Sequence, residues 1–376
     1  MNRLVGGVIP FSMQENVPLK PYTTFKIGGP ATHFAEVRAP SHVREAVKFA
    51  TAQKLPLFVL GGGSNMLVSD RGIEAMVLHP TYQGLRVIEG GRDELLAEVG
   101  AGMGWDGVVN WAVENGYWGI ENLSHIPGQA GAALVQNIGA YGKQLSDVLV
   151  NAVVMDLETI EPQRFDAKGC KLGYRTSIFN TTDKGRWLIF ILTLRLKRHG
   201  RPNLTYPDLA SRFEGNPNPS LEDIRAAVTA IRDRKFPYPR EEKGGNAGSF
   251  FKNLVLNDVQ YRKLQLAVAK NFDSATLDRL HTLRQRITSG SAIKIPSAFL
   301  IEICGLKGFR IGGAQVNQSQ PLVILNQGGA TAADVLSLAR HIRQTVHQRT
   351  GMVLPLEPEL VGFSREEIDH YLALGC

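Results

Sequence analysis

The sequence predicts a chain of mixed helices and strands built as more than one domain, and three observations carry that reading. Its 376 residues exceed what one hydrophobic core ordinarily serves, so two or three domains are expected. Helical and strand periodicities alternate along the first half, which gives it α/β character. Two clusters rich in Gly, Pro and Asn, at 199–203 and 215–219, interrupt the chain before further helical segments.

Taken in order, residues 41–53 read as a helix, with Ser41 as candidate N-cap and Val43, Ala46, Val47 and Ala50 on one face. Pro56 stops it. Residues 57–60 read as a short buried strand that runs into Gly61-Gly62-Gly63-Ser64-Asn65. Residues 105–115 read as a second helix ended by Gly116, and 186–197 as a strong strand. Beyond the clusters, Ser220 and Asp223 form a capping-box-like start to a helix over 221–235, with Ile224, Val228 and Ile231 on one side. A last helix begins at Thr331, carries Val335, Leu338, Ala339, Ile342 and Val346 on one face, and meets Gly351 where a C-cap belongs. The domain boundary is placed near residue 199.

Composition narrows the function classes. Hydrophobic residues are 43% and charged residues 20%, the balance of a soluble globular protein. The longest apolar run, 187–196, is interrupted by Thr193 and Arg195 and falls short of the roughly 20 residues of a membrane span. Residues 1–14 lack the apolar region of a signal peptide. Cys170, Cys304 and Cys376 are odd in number and widely spaced, which argues against a disulfide framework and fits a reducing cytoplasm. No CxxC or HExxH occurs, and His341 and His347 have no usual metal-pair spacing, so they read as surface histidines and no metal is expected. The net charge of +7 is spread without a polybasic run, which favours a small anionic ligand or simple solvation over nucleic acid.

Two glycine-rich segments stand out. Consecutive glycines at 61–63 can turn tightly and expose N–H groups to phosphate oxygens, although a surface turn explains them equally well. Neither GxGxxG nor GxxxxGK[ST] is present, so a dinucleotide would need another fold. The segment Ile126-Pro127-Gly128-Gln129-Ala130-Gly131-Ala132, followed by Gln136-Asn137-Ile138-Gly139-Ala140-Tyr141-Gly142, is small and nearly uncharged. That suits backbone lying against a planar ligand or a pyrophosphate.

These stretches, with Tyr22-Thr23-Thr24-Phe25-Lys26-Ile27-Gly28-Gly29, resemble the UDP-N-acetylenolpyruvoylglucosamine reductases. The second half extends the resemblance. Gly173-Tyr174-Arg175-Thr176-Ser177-Ile178-Phe179 is similar to the family's arginine motif, and Gly245-Asn246-Ala247-Gly248-Ser249-Phe250-Phe251-Lys252-Asn253 to its serine motif. Leu356-Glu357-Pro358-Glu359 matches the closing glutamate motif, and Leu306-Lys307-Gly308 and Ile311-Gly312-Gly313-Ala314 also fit. The run Leu204-Thr205-Tyr206-Pro207-Asp208-Leu209 resembles the substrate-covering tyrosine loop of the longer subclass. Two departures occur. Leu360-Val361 stands where the family often has Val-Arg, which puts the packing near Glu359 in question, and Leu254 stands where it commonly has proline.

The resemblance implies an α+β fold: a two-part FAD-binding domain of the vanillyl-alcohol-oxidase-like type over 1–199, split near 68, then a smaller α+β substrate-binding domain over 200–376 whose segment 353–363 returns to the active site. It implies non-covalent FAD held by Gly61, Gly62, Gly63, Ser64, Asn65, Ile126, Pro127, Gly128, Gly131, Ala132, Asn137, Gly139, Ala140 and Tyr141, with NADPH as co-substrate. The implied reaction reduces the enolpyruvyl ether of a UDP-sugar in peptidoglycan precursor synthesis, in the bacterial cytoplasm, by a chain expected to be monomeric. Hydride to the terminal carbon leaves an enolate-like charge beside the carboxylate. Arg175 is the candidate for stabilising it, because a guanidinium is always charged and matches a carboxylate at two points. Ser249 is the candidate proton donor to carbon, a role that needs local help for so weak an acid; without the resemblance, 244–249 reads as a turn. Glu359 is the candidate partner on the carboxylate side, with Glu357 second. Tyr174, Tyr206, Lys235 and Asn253 are the candidate substrate-binding residues. Two other classes remain open: another FAD-dependent sugar or alcohol oxidoreductase of the same fold, in which His125 could anchor flavin covalently, and a basic nucleotide-sugar or nucleic-acid binding protein.

Overall fold

The computed structural model describes residues 10–237, 244–289 and 292–374. Cys376 and most of the N-terminal stretch lie outside the described residues. The chain divides into two compact units, one of residues 1–17, 31–62 and 74–233, the other of residues 18–30, 63–73 and 234–376.

The first unit holds two sheets. A four-stranded sheet runs Gln14–Pro18, Pro30–Val37, Ile73–Pro80, Leu57–Val59, the last two pairing in parallel. The Pro40–Gln53 helix packs on it through Val43, Ala46 and Ala50, as the sequence periodicity requires. The helix starts one residue before the expected cap: Ala39 is the N-cap and makes no side-chain bond, and Pro40 opens the first turn, where its missing N–H costs nothing. The Leu57–Val59 strand is half-buried rather than fully buried.

An antiparallel five-stranded sheet runs Pro162–Asp166, Leu149–Asp156, Trp187–Lys197, Glu94–Gly100, Leu85–Gly90. Trp187–Lys197 is its centre, which explains an apolar run too continuous for an edge strand. The Trp105–Glu114 helix covers this sheet through Trp105, Val108, Val109 and Ala112 and ends before Gly116, whose φ is +73°.

The packing boundary falls after Asp233, not near residue 199, and the reason is the Leu221–Lys235 helix. Ser220 and Asp223 cap it reciprocally, at 3.1 Å each way. Its Ile224, Ala227, Val228 and Ile231 then cluster with Tyr141 and Leu209 of the first unit.

The second unit surrounds one core in which Phe25, Phe250 and Phe251 are fully buried, each contributing about 1.5–3 kcal/mol by burial. Three-stranded sheets of Leu254–Leu256, Ala292–Ile295, Thr288–Ser289 and of Arg310–Ile311, Ala314–Val316, Ile324–Asn326 flank helices Asp258–Asn271, Ser297–Ile303 and Ala332–Thr350. Leu254 suits its place: it is buried and pairs with Ile295. Thr331 caps the Ala332–Thr350 helix in a box with Asp334, and Gly351 ends it at φ +70°. His341 and His347 are half-buried, not surface side chains: His341 stacks on Phe309 at 4.4 Å, and His347 Nδ1 is buried without a hydrogen-bond partner among the described residues.

Candidate active site

In the first unit the two glycine-rich segments touch. A Cβ on Gly61 would lie 2.9 Å from Ala132 Cβ, and one on Gly62 would lie 2.5 Å from Gly128 Cα. The same holds for Gly131, whose Cβ would meet Ala101 Cβ at 2.9 Å. Backbone bonds fix the second segment: Ala130 N–H donates to Met103 O at 2.8 Å, Gly131 N–H to Ala101 O at 2.9 Å, and Trp105 N–H to Gly128 O at 2.9 Å. The first segment is held from Leu60, whose carbonyl accepts from His79 Nδ1–H at 2.7 Å. Burial keeps the pKa of His79 below its ordinary value, against the opposing pull of Leu60 O and Glu36.

These residues fit a flavin nucleotide. Both segments offer backbone and small side chains at close quarters, and neither 61–65 nor 126–142 contains a carboxylate that would repel a diphosphate. Pro127 and Ala140 are half-buried within the second.

The backbone in this region is strained. His125, Asn137, Tyr141 and Arg175 are non-glycine residues with φ of +59°, +41°, +48° and +57°. Such conformations cost about 1–3 kcal/mol each and persist only where surroundings over-determine them. Two of the expected cofactor residues turn out to spend their side chains on this frame. Asn137 is buried; its Nδ2 donates to Gly173 O at 2.9 Å and its Oδ1 accepts from Ser146 N–H at 3.0 Å. Tyr141 is buried against the Leu221–Lys235 helix, and its carbonyl accepts from Asn122 Nδ2 at 2.7 Å.

Arg175 adjoins the same segment: Nη2 donates to Gly139 O at 2.9 Å, and its own carbonyl accepts from Asn180 Nδ2 at 3.2 Å. Its guanidinium lies 5.7 Å from the ring centre of Tyr174, which is half exposed. Tyr206 is the N-cap residue of the Pro207–Arg212 helix and meets Tyr141 edge to face at 5.1 Å.

In the second unit the chain brings Gly63, Ser64, Asn65, Ser249 and the glutamate motif onto adjoining segments. Gly63 has φ +58° and its carbonyl accepts from Thr24 N–H at 3.1 Å. Thr24 Oγ1 donates to Asn246 O at 2.7 Å, and buried Asn246 turns its Oδ1 to Gly248 N–H at 2.9 Å, which shapes the turn before half-buried Ser249. Phe251 bridges Leu356, Glu357 N–H donates to Phe250 O at 3.0 Å, and Glu359 N–H donates to Asn65 O at 3.0 Å. Glu359–Val361 pairs in register with Met66–Val68, so Leu360-Val361 packs as a regular strand despite its departure from the family pattern. Asn253 Oδ1 accepts from Ser297 N–H at 3.2 Å. Half-buried Lys235 ends its helix with its carbonyl accepting from Asn317 Nδ2 at 3.0 Å.

Several residues that order this region are missed by sequence reasoning. Asp106, Arg225, Arg232 and Asp233 form one polar cluster around His125. Arg225 and Arg232, seven apart on an amphipathic helix, were the available signal. His125 Nε2 lies 2.8 Å from Asp233 Oδ1, so the ring that a covalent-flavin reading would use is engaged by a carboxylate. Among the described residues no group of three metal-ligating side chains occurs, and no helix is long and apolar enough to cross a membrane.

Comparison with known proteins shows the family. Residues 31–160 match a family model described as an FAD binding domain. Residues 239–361 match the C-terminal domain of UDP-N-acetylenolpyruvoylglucosamine reductase. The protein so named from Pseudomonas aeruginosa is 40% identical over 93% of this chain and 98% of its own length, and that from Burkholderia multivorans is 38% identical over 92% and 96%. The crystal structure of the Thermus caldophilus enzyme of that name superposes with a TM-score of 0.62 over 94% of this chain and 99% of its own; at 24% identity it speaks for the fold. The chain belongs to the UDP-N-acetylenolpyruvoylglucosamine reductase family.

Proposed function

We infer that this chain reduces UDP-N-acetylglucosamine enolpyruvate to UDP-N-acetylmuramate with NADPH, through bound FAD, as a step of peptidoglycan precursor synthesis. The observation that carries the reading is similarity across nearly the whole length to reductases of that name. The motif residues Arg175, Ser249 and Glu359 support it, since a different flavin oxidoreductase would have no need of the three together.

Bound FAD would supply the hydride chemistry between NADPH and the terminal enolpyruvyl carbon. The chain's residues do the rest. Gly61 to Asn65 and Ile126 to Tyr141 hold the cofactor by backbone contacts, non-covalently. Arg175 neutralises the charge that grows beside the substrate carboxylate; its bond to Gly139 O aims it before reaction begins. The Ser249 hydroxyl gives its proton to the carbon bearing the carboxylate, so the double bond gains one hydride and one proton. Glu359 shares the carboxylate side with Arg175. Tyr174, Tyr206, Lys235 and Asn253 bind the UDP-sugar. We further propose a cytoplasmic monomer; Cys170 and Cys304 as buried free thiols, both pushed up to about 11 by burial, suit a reducing compartment.

The test is consumption of NADPH by the purified yellow protein under anaerobic conditions. Loss that depends on UDP-N-acetylglucosamine enolpyruvate, with a product heavier by two hydrogens, supports the assignment. A yellow protein indifferent to that substrate overturns it while keeping the fold.

A further inference from the structure

His125 immediately precedes the Ile126–Ala132 segment and is gripped at three points. Its N–H donates to Asp106 Oδ1 at 2.5 Å, its carbonyl accepts from Arg232 Nε at 2.8 Å, and its ring Nε2 lies 2.8 Å from Asp233 Oδ1. Asp106 is itself held by a two-point bond from Arg225, Nη1 to Oδ1 at 2.8 Å and Nη2 to Oδ2 at 2.9 Å. All of these residues belong to the first unit.

The sequence explains how the grip is built. Asp106 stands in the first turn of the Trp105–Glu114 helix, where the helix dipole favours a carboxylate. The residue before it, Trp105, donates its N–H to Gly128 O at 2.9 Å. One helical turn therefore fixes both ends of the 125–128 stretch. Arg225 and Arg232 sit two turns apart on the Leu221–Lys235 helix, so one helix face reaches both Asp106 and the His125 carbonyl. The half-buried guanidinium–carboxylate pair is two-pronged and directional. Asp106 thus holds the His125 N–H on one side of its Cα and Arg232 its carbonyl on the other, across a residue whose φ is +59°.

We propose that Asp106, Arg225 and Arg232 are positioning residues for the flavin: they hold His125 in its left-handed conformation and so aim the 126–131 backbone at the cofactor. This rests on the FAD reading of that segment. The three residues touch the loop and not the reacting atoms, so they act through His125. His125 is the strained element, and glycine is the residue that adopts its conformation without cost. The assignment thus makes a prediction that a merely stabilising ion pair does not: removing the strain at 125 restores what losing the grip removes.

The experiment measures FAD dissociation from the FAD-loaded protein by flavin fluorescence, beside the flavin absorption spectrum and thermal melting. Variants are Arg225→Ala, Asp106→Asn, His125→Gly and the pair Arg225→Ala with His125→Gly. Arg225→Ala and Asp106→Asn are expected to weaken FAD binding by about tenfold and to shift the flavin spectrum; His125→Gly alone binds near-normally, and the double variant recovers most of the affinity. Should Arg225→Ala prove too unstable, Asp106→Asn carries the same test, since it keeps the volume of the side chain and one acceptor. Unchanged FAD affinity and spectrum with only a lower melting temperature would make the cluster structural and overturn the proposal. So would a double variant no better than Arg225→Ala. Wild-type protein that takes up no FAD removes the cofactor reading itself, and that outcome is distinct from either.

Discussion

The backbone N–H of Glu359 donates to the carbonyl of Asn65 at 3.0 Å, and Asn65 Nδ2 donates to Glu357 O at 3.3 Å. A residue of the first glycine-rich loop and the candidate active-site glutamate are thereby fixed to each other, although 294 positions separate them in the sequence. The parallel pairing of Met66–Val68 with Glu359–Val361 continues that connection. Substituting Asn65 by Ala removes one of its bonds and leaves the backbone pairing, so it should lower turnover several-fold with little change in melting temperature. Steady-state rates beside a thermal melt check this.

Replacing Ser249 by Ala should leave reduction of the flavin by NADPH near normal and slow substrate reduction by about 10²–10⁴-fold, the range of a positioned general acid. Stopped-flow measurement of the two half-reactions separates the effects. Equal slowing of both would make Ser249 structural.

Arg175→Lys keeps a charge but loses the planar fork that bonds Gly139 O while presenting to a carboxylate. The expected loss is about 10²-fold in kcat/KM, in line with removing one preorganised donor. Tyr206→Phe retains the edge-to-face contact with Tyr141 and removes only the hydroxyl, so it should raise KM for the UDP-sugar and spare kcat. An unchanged KM would take Tyr206 out of substrate binding.

A stability prediction concerns Asp156, whose carboxylate is fully buried and accepts from Arg186 Nη2 at 2.7 Å and Nε at 3.2 Å. The Arg186 hydrogen bonds hold its pKa below the usual carboxylate value, outweighing burial. Because the folded-state pKa is depressed, the stabilisation is present above the unfolded value, roughly 3.9, and is lost as pH falls through the folded one. Denaturant melts of wild type and Asp156→Asn should differ most at neutral pH and converge on acidification. A gap that widens on acidification would contradict this.

How legible all this was in the sequence depends on range. Elements set by local periodicity and capping could be read directly: the helix capped by Ser220 and Asp223, the helix from Thr331 to Gly351, and the central Trp187–Lys197 strand. The unit boundary could not, because it turns on Tyr141 packing against Ile224 and Val228, a contact that no local pattern announces. The two bonds of Asn137 to Gly173 and Ser146 become visible only in three dimensions. The Asp106–Arg225 pair spans 119 residues, and each partner alone reads as an ordinary charge on a helix surface.

The central claim is that flavin bound by this chain carries hydride from NADPH to the enolpyruvyl ether. The most direct measurement follows flavin colour anaerobically in a rapid-mixing experiment. NADPH should bleach the protein, and UDP-N-acetylglucosamine enolpyruvate, added alone afterwards, should restore the colour at a rate no slower than turnover. A bleached protein that stays colourless with that substrate and recolours only with oxygen would contradict the account.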